Sequence, residues 1–200
     1  MTTSVHPVRS LDVQREEFAR RRLIAMPIAG TIAWTGIGLA GMVLPPELAA
    51  LAIFIGTGMI AYLGMGISNL TGERFLDRGK PRNEFDALFF HTVAMSLLVY
   101  AVAIPFYRQL TSALPLGVGI LTGLMWIPLS WLLRHWVGWF HTVARTLLVT
   151  AAWYAFPDQR FVVVPFVIVG VYVVSIVALE VRWRALRSAG EPAGEPAAAR

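Results

Sequence analysis

No cysteine occurs in the 200-residue chain, which removes disulfides, thiolate nucleophiles, iron–sulfur clusters and thioether-linked haem at once. Charge is scarce too: Asp, Glu, Lys and Arg make up 14% of residues against 56% hydrophobic ones. A globule of this size needs far more polar covering, so a water-soluble domain is excluded and the surrounding solvent is lipid. Also missing are a phosphate-cradling glycine loop, a Ser/His/Asp set and paired carboxylates within an apolar run. Soluble-enzyme motifs are therefore absent, and the reading leans away from catalysis. The net charge of +5 does not point to nucleic acid, because the basic residues stand at the ends of apolar runs and form no aromatic-interleaved patch. Nor is a cleavable leader expected, since the first apolar run is a full span long and lacks a small-residue cleavage pattern.

What is present is a series of apolar runs over residues 23–44, 48–69, 87–106, 113–133, 137–156 and 161–181. Each matches the roughly 20 residues that a helix needs to cross a bilayer. The chain is thus expected to be an all-α, polytopic membrane helical bundle of six transmembrane helices, occupying 23–181. Residues 1–22 form a cytoplasmic N-terminal segment with a short interfacial helix from Leu11, in which Glu16/Arg20 and Glu17/Arg21 have supporting i,i+4 spacing. Residues 182–200 are expected to be a disordered cytoplasmic tail, because the stretch SAGEPAGEPAAAR cannot bury apolar surface.

Orientation follows from arginine and lysine, which cytoplasmic loops retain. Arg9, Arg15, Arg20, Arg21 and Arg22 precede the first run, and Arg74, Arg78, Lys80 and Arg82 separate the second from the third. Arg134 joins the fourth and fifth, and Arg182, Arg184, Arg187 and Arg200 follow the sixth. The remaining loops hold only Arg108 and Arg160. Six spans with both termini in the cytoplasm, in the inner (plasma) membrane, satisfy this distribution. The loop from Thr71 to Asp86 reads as a solvated hairpin whose Lys80 and Arg82 can touch anionic lipid headgroups. Trp131, Trp136 and Trp139 fit an aromatic belt at headgroup level. The bilayer is the expected partner, with homo-oligomerisation and a small solute as further possibilities.

Phe90–Val99 (FHTVAMSLLV) matches Phe140–Val149 (FHTVARTLLV) at eight of ten positions. Both segments are entered from the cytoplasmic side, so the two helices are parallel, and spans one, three and five can be read as first members of repeated hairpins. Small residues at four-residue spacing, as in Ala25/Ala29/Ala33, Ala52/Gly56 and Gly119/Gly123, allow close helix approach. Pro128, in the middle of the fourth span, should kink or hinge that helix.

Polar side chains inside spans carry the functional question. His91 and His141 lie at one depth, roughly 6 Å inside the apolar boundary at 1.5 Å per residue. Arg145 follows His141 by one helical turn, near the middle of the fifth span, with no acid at its own depth. A guanidinium there costs about 3 kcal/mol on insertion scales, so it should face the bundle interior or water. Three readings stay open. Arg145, His141, His91, Thr146 and Ser96 can line a site for a polar or anionic small solute, which a fixed fork of donors suits. His91 and His141 can instead ligate a metal or haem in a redox protein, although two ligands are too few for structural zinc. Or the charge is satisfied by backbone carbonyls loosened near Pro128 and by hydroxyls such as Thr122, Ser130 and Thr146, in a scaffold or accessory subunit. The residues do not identify a cofactor. Asp86 and Glu180 are alternative partners for Arg145, with the interface as their more natural place.

Four strings, RRLIAMPIAG, GERFLDRGKPRNEFDALFFHTVAM, GILTGLMWIPLSW and HWVGWFHTVARTLLVTAAWYAFPDQRFVVVPFVIV, together resemble an uncharacterised family of six-span bacterial membrane proteins of about this length. The resemblance covers most of Gln14 to Glu180. It implies a bacterial inner-membrane setting and lends no activity, substrate or cofactor.

Overall fold

Proline and polar caps decide where several helices begin. Ser10 caps α1 (Leu11–Ala19) by accepting from the Val13 amide. Pro46 opens α3 (Pro46–Leu70) at the first helical position, where its missing N–H removes nothing the helix would use. Asn83 caps α4 (Glu84–Leu98) through the Phe85 amide, 2.9 Å away. The same side chain donates to the Gln14 carbonyl at 2.7 Å, and Gln14 in turn accepts from the Glu84 amide, so α1 is locked onto the start of α4. The other helices are α2 (Ala25–Val43), α5 (Tyr100–Gln109), α6 (Leu114–Leu121), α7 (Trp126–Leu133), α8 (Val137–Ala155) and α9 (Arg160–Gly190). These elements come from a computed structural model, which describes residues 9–73 and 83–190. Most of the expected hairpin between the second and third spans, including Lys80 and Arg82, and residues 191–200 of the expected tail lie outside the described residues.

The chain is an all-α membrane bundle. Among the described residues, five helical stretches are long and apolar enough to cross a membrane: Ala25–Val43, Pro46–Leu70, Glu84–Gln109, Thr111–Leu133 and Pro157–Ala189. The remaining expected span is α8, whose 19 residues reach roughly 28 Å at 1.5 Å per residue. His141, Arg145 and three threonines dilute its apolar character, yet it traverses the bundle like its neighbours. Contacts show this. Arg22 pairs with Glu180 at 2.7 Å, Arg21 with Asp86, and Glu73 accepts from the amides of Ile24 and Ala25. Arg134 and Arg182 line one groove together with α1. The starts of α2, α4 and α8 and the ends of α3, α7 and α9 therefore meet at one arginine-rich end, so each intervening segment goes out and returns.

Outward faces are apolar, as lipid requires: Ile55, Leu98, Leu147 and Val177 are all more than half exposed. Inside, α2 packs along α3 and α9, and α8 packs against α9, α6 and α7. The α4–α5 rod sits at the margin, touching chiefly α1, α7 and α6. The small-residue pattern marks real approaches. Ala25 and Ala29 are wholly buried, and any Cβ at Gly56 would meet Ile37 at 2.8 Å. At Gly41 a Cβ would overlap the Phe161 carbonyl oxygen, the group whose helical donor is removed by Pro165.

Two expectations are corrected. The C-terminal helix does not stop at 181: α9 continues through Gly190, because Glu180 pairs with Arg184 at 2.9 Å and Trp183 lies under the guanidinium groups of Arg22 and Arg187. The fourth span does not bend at Pro128. It breaks at residues 122–125, and Pro128 occupies the first turn of α7, where a missing N–H is tolerated. Of the two expected ion pairs on α1, Glu16–Arg20 forms at 2.7 Å. Glu17 turns to Arg9 instead, and Arg21 to Asp86.

Candidate functional site

The break between α6 and α7 creates the site. Gly123 donates to the Ile120 carbonyl rather than to Gly119, leaving the Gly119 carbonyl without its helical donor. Buried carbonyls need a partner, most of all in lipid. Arg145, midway along α8, supplies it: Nε donates to Gly119 O at 2.6 Å. One turn away, Thr142 Oγ1 donates to the Gly123 carbonyl at 3.0 Å. The helix break and the polar face of α8 thus satisfy each other. Gly123 has no room for a side chain, because a Cβ would stand 2.9 Å from Arg145 Cδ.

The guanidinium has no exposed surface. Besides Gly119 it donates from Nη2 to Thr122 Oγ1 (2.8 Å) and from Nη1 to Tyr172 Oη (3.3 Å) and His141 Nε2 (3.4 Å). Its central carbon lies 5.4 Å from the ring centroids of both Trp34 and Tyr172, within range for attraction to their π faces. All these partners are neutral. Asp86 is held by Arg21, and Glu180 by Arg22 and Arg184, so neither acid reaches Arg145. Among the described residues no carboxylate compensates this buried cation.

His141, also fully buried, is fixed on every side. Its ring stacks on Trp126 at 3.8 Å and 8° and meets Tyr172 edge-on at 4.8 Å. Ser175 Oγ donates to the Val171 carbonyl at 2.8 Å, so at 2.9 Å from His141 Nδ1 it must accept. The hydrogen-bond network therefore places the imidazole proton on Nδ1 and leaves Nε2 as the acceptor for Arg145. The result is a directed chain from Arg145 through His141 and Ser175 to the backbone of α9.

A cavity of about 280 Å³ adjoins this network. It lies where α3 and α4 separate, with Met65, Val93 and Leu97 among its apolar walls, and at its back stand Thr122, Trp126 and Tyr172. Thr57 and Tyr100 hydrogen-bond to each other at its margin. Two of the residues whose hydroxyls hold Arg145, Thr122 and Tyr172, thus also line the cavity.

The structure brings together Arg145, His141 and Thr122 and separates the rest of the expected set. His91 is exposed on α4, so it neither meets His141 nor lines the cavity. The matching strings sit in different surroundings: α8 is flanked on two sides, which buries His141 and Thr142, whereas marginal α4 buries only the face of Phe85, Phe89 and Thr92. The pair accordingly has no geometry for a shared metal or haem. No group of three or more His, Cys, Asp or Glu suited to a metal occurs among the described residues. Ser96 lines the cavity while donating to the Val93 carbonyl, and Thr146 is half-buried without reaching Arg145. Ser130 serves the turn after α7 by donating to the His135 carbonyl. Trp131, Trp136 and Trp139 are each more than half exposed.

Sequence reasoning missed Tyr172, Ser175, Trp34 and the Gly119 carbonyl. Tyr172 and Ser175 are three residues apart on one face of α9, the only signal available for them.

No curated protein and no solved structure matches the chain. A family profile does match, over residues 12–182, and on that match the chain belongs to the family of unknown function DUF7010.

Proposed function

We propose that this protein binds a small anionic solute inside the membrane, with Arg145 as the counter-charge and the cavity between α3 and α4 as the way in. In this reading it is an inner-membrane protein with both termini in the cytoplasm, where the arginine-rich end belongs, and binding is the recognition step of solute transfer. One observation carries the proposal: a guanidinium without exposed surface whose described partners are all neutral. Its insertion costs about 3 kcal/mol on translocon scales, a penalty that a helix face of leucines would avoid. An anion would recover much of it. The cavity wall supports this, because Tyr172 Oη accepts from Arg145 and retains its own proton to donate to a ligand.

The test is equilibrium binding and uptake in proteoliposomes with a panel of carboxylates and phosphate esters. Thr122→Val and Tyr172→Phe should each weaken binding roughly tenfold while the protein stays folded, the size expected for a hydrogen bond to a charged group. Unchanged affinity in both variants and in Arg145→Met would end the proposal.

A second reading, a scaffold or accessory subunit pinned by Arg145, draws on the three hydrogen bonds by which that side chain ties α8 to the end of α6 and to α9. The two readings differ in what Arg145→Met does to stability.

A further inference from the structure

Ion pairs at the arginine-rich end are distributed selectively. Arg9, Arg15, Arg20, Arg21, Arg22 and Arg184 each have an acidic partner. Among the described residues, Arg134, Arg182 and Arg187 have none. These three are not scattered. They come together along one groove of about 760 Å³ between α1, the α7–α8 turn and the end of α9. Five arginines and two acids line it, a net charge of +3. Arg182 spans its floor: Nη2 donates to the Ala19 carbonyl, while Nη1 is buried without a hydrogen-bond partner. A buried donor left open in this way lacks an acceptor.

The groove does not end at the charged level. Leu133, Arg134, Arg182 and Leu186 also line a second groove of about 900 Å³ that runs along α9 past Val181, Val177 and Val173. Trp136, 55% exposed, stands beside it at the depth of the aromatic belt. A soluble anion would occupy only the upper space. A molecule with a phosphate at one end and hydrocarbon at the other fills both.

We propose that Arg134, Arg182 and Arg187 bind the phosphate of an anionic phospholipid whose acyl chain lies along the valine face of α9. Planar guanidinium groups suit phosphate oxygens, and a basic recess beside a span on the cytoplasmic side is where anionic headgroups collect. This site is separate from Arg145 and does not depend on the solute-binding proposal.

The test uses the full chain in mild detergent, adding dioleoylphosphatidylglycerol, dioleoylphosphatidylcholine, glycerol phosphate or inorganic phosphate, with lipid adducts counted by native mass spectrometry and the unfolding midpoint read in parallel. Phosphatidylglycerol should bind in preference to phosphatidylcholine and raise the midpoint, and neither soluble phosphate should substitute for it. Arg134→Gln and Arg187→Gln should each lower that preference by about fivefold. Arg108→Gln, at the far end, should leave it intact. Because Arg182 also holds the Ala19 carbonyl, Val177→Trp provides the second line: it obstructs the acyl groove without changing charge and should weaken both lipids. Equal binding of the two lipids, or a preference untouched by Arg134→Gln and Arg187→Gln, overturns the site. Equal stabilisation by glycerol phosphate overturns the lipid as its occupant. The preference should survive Arg145→Met, which separates this result from any failure of the interior site.

Discussion

Replacing Arg145 by methionine should disturb the fold less than replacing it by lysine, and the reason lies in two opposing magnitudes. Methionine gives up four hydrogen bonds, which inside membranes average about 0.6 kcal/mol each, or roughly 2.4 kcal/mol together. It also removes a buried charge worth about 3 kcal/mol of unfavourable insertion, while its flexible thioether fills the space of the arginine stem. Thr122 still donates to the Val118 carbonyl at 2.6 Å, so the main orphan is the Gly119 carbonyl. The terms nearly cancel, and the net change should stay within about 2 kcal/mol, in line with buried charges exchanged for apolar groups of similar size. Lysine keeps the charge but concentrates it at a point. It cannot span Gly119, Thr122 and Tyr172 at once, and each buried acceptor left open costs about 1–3 kcal/mol. Lysine should therefore be the less stable variant by about 2 kcal/mol. Reversible unfolding in mixed micelles gives both numbers, and solute binding should be lost in the methionine variant alone or in both. If methionine costs more than about 4 kcal/mol while lysine is tolerated, the charge is already compensated within the fold and the electrostatic argument fails.

Three further outcomes follow from contacts elsewhere. Gly138→Ala places a Cβ within the Trp126 carbonyl and 2.8 Å from the Ser130 amide, both rigid backbone; α7 and α8 must separate, lowering stability by about 1–3 kcal/mol. Gly36→Ala meets nothing within 4 Å and should be neutral or stabilising by up to about 1 kcal/mol; equal effects of the two in thermal unfolding would contradict the packing of α7 on α8. Burial pushes the Glu73 carboxyl above its ordinary 4.5, although the Ile24 and Ala25 amides, Thr71 and Arg22 oppose the shift. A raised value in the folded state means stability that is full below 4.5 and falls as pH rises through the raised value. Glu73→Gln keeps an acceptor for both amides, so the difference in unfolding midpoint between variant and wild type should widen in the variant's favour from pH 4 upward; a difference independent of pH would refute it. Arg160 bonds the Trp153 carbonyl at 2.9 Å and Ser112 Oγ at 2.8 Å, with its guanidinium 3.7 Å from the Trp153 ring centroid; Arg160→Ala should quench or shift Trp153 emission and cost about 1–3 kcal/mol.

Much of this architecture is written in local pattern. Apolar runs of span length and arginines at alternate boundaries suffice to anticipate helices that meet at one charged end. Arg145 was conspicuous because a central charge in an apolar run has few acceptable places. What resisted reading is what depends on neighbours. His91 and His141 stand in the same pentapeptide, and only packing distinguishes them, since α8 is enclosed between α7 and α9 while α4 is marginal. The run over 137–156 is legible as a span although His141, Arg145 and three threonines lower its hydropathy. Tyr172 and Ser175 look like ordinary members of a valine-rich helix until α8 is laid against it. The Gly119 carbonyl could not be seen at all, because a backbone acceptor freed by a broken helix has no side-chain signature. Pro128 marks the right helix but not the break, which falls at residues 122–125, between the end of α6 and the start of α7, rather than at the proline.

The break in α6–α7 and the charge in α8 explain each other. Irregular backbone at membrane depth persists only where protein, water or a guest molecule satisfies it, and an arginine persists there only where acceptors are fixed around it. Arg145 and Thr142 take up the carbonyls of Gly119 and Gly123, and the small residue at 123 lets the side chain pass. The same seam supplies Thr122 and Trp126 to the wall of the cavity. A continuous helix over 111–133 would have closed its carbonyls on itself, leaving Arg145 without Gly119 and the cavity without a polar back. The arrangement thus keeps a cation at mid-depth with no carboxylate partner among the described residues, and Thr122, which accepts from it, also lines the cavity.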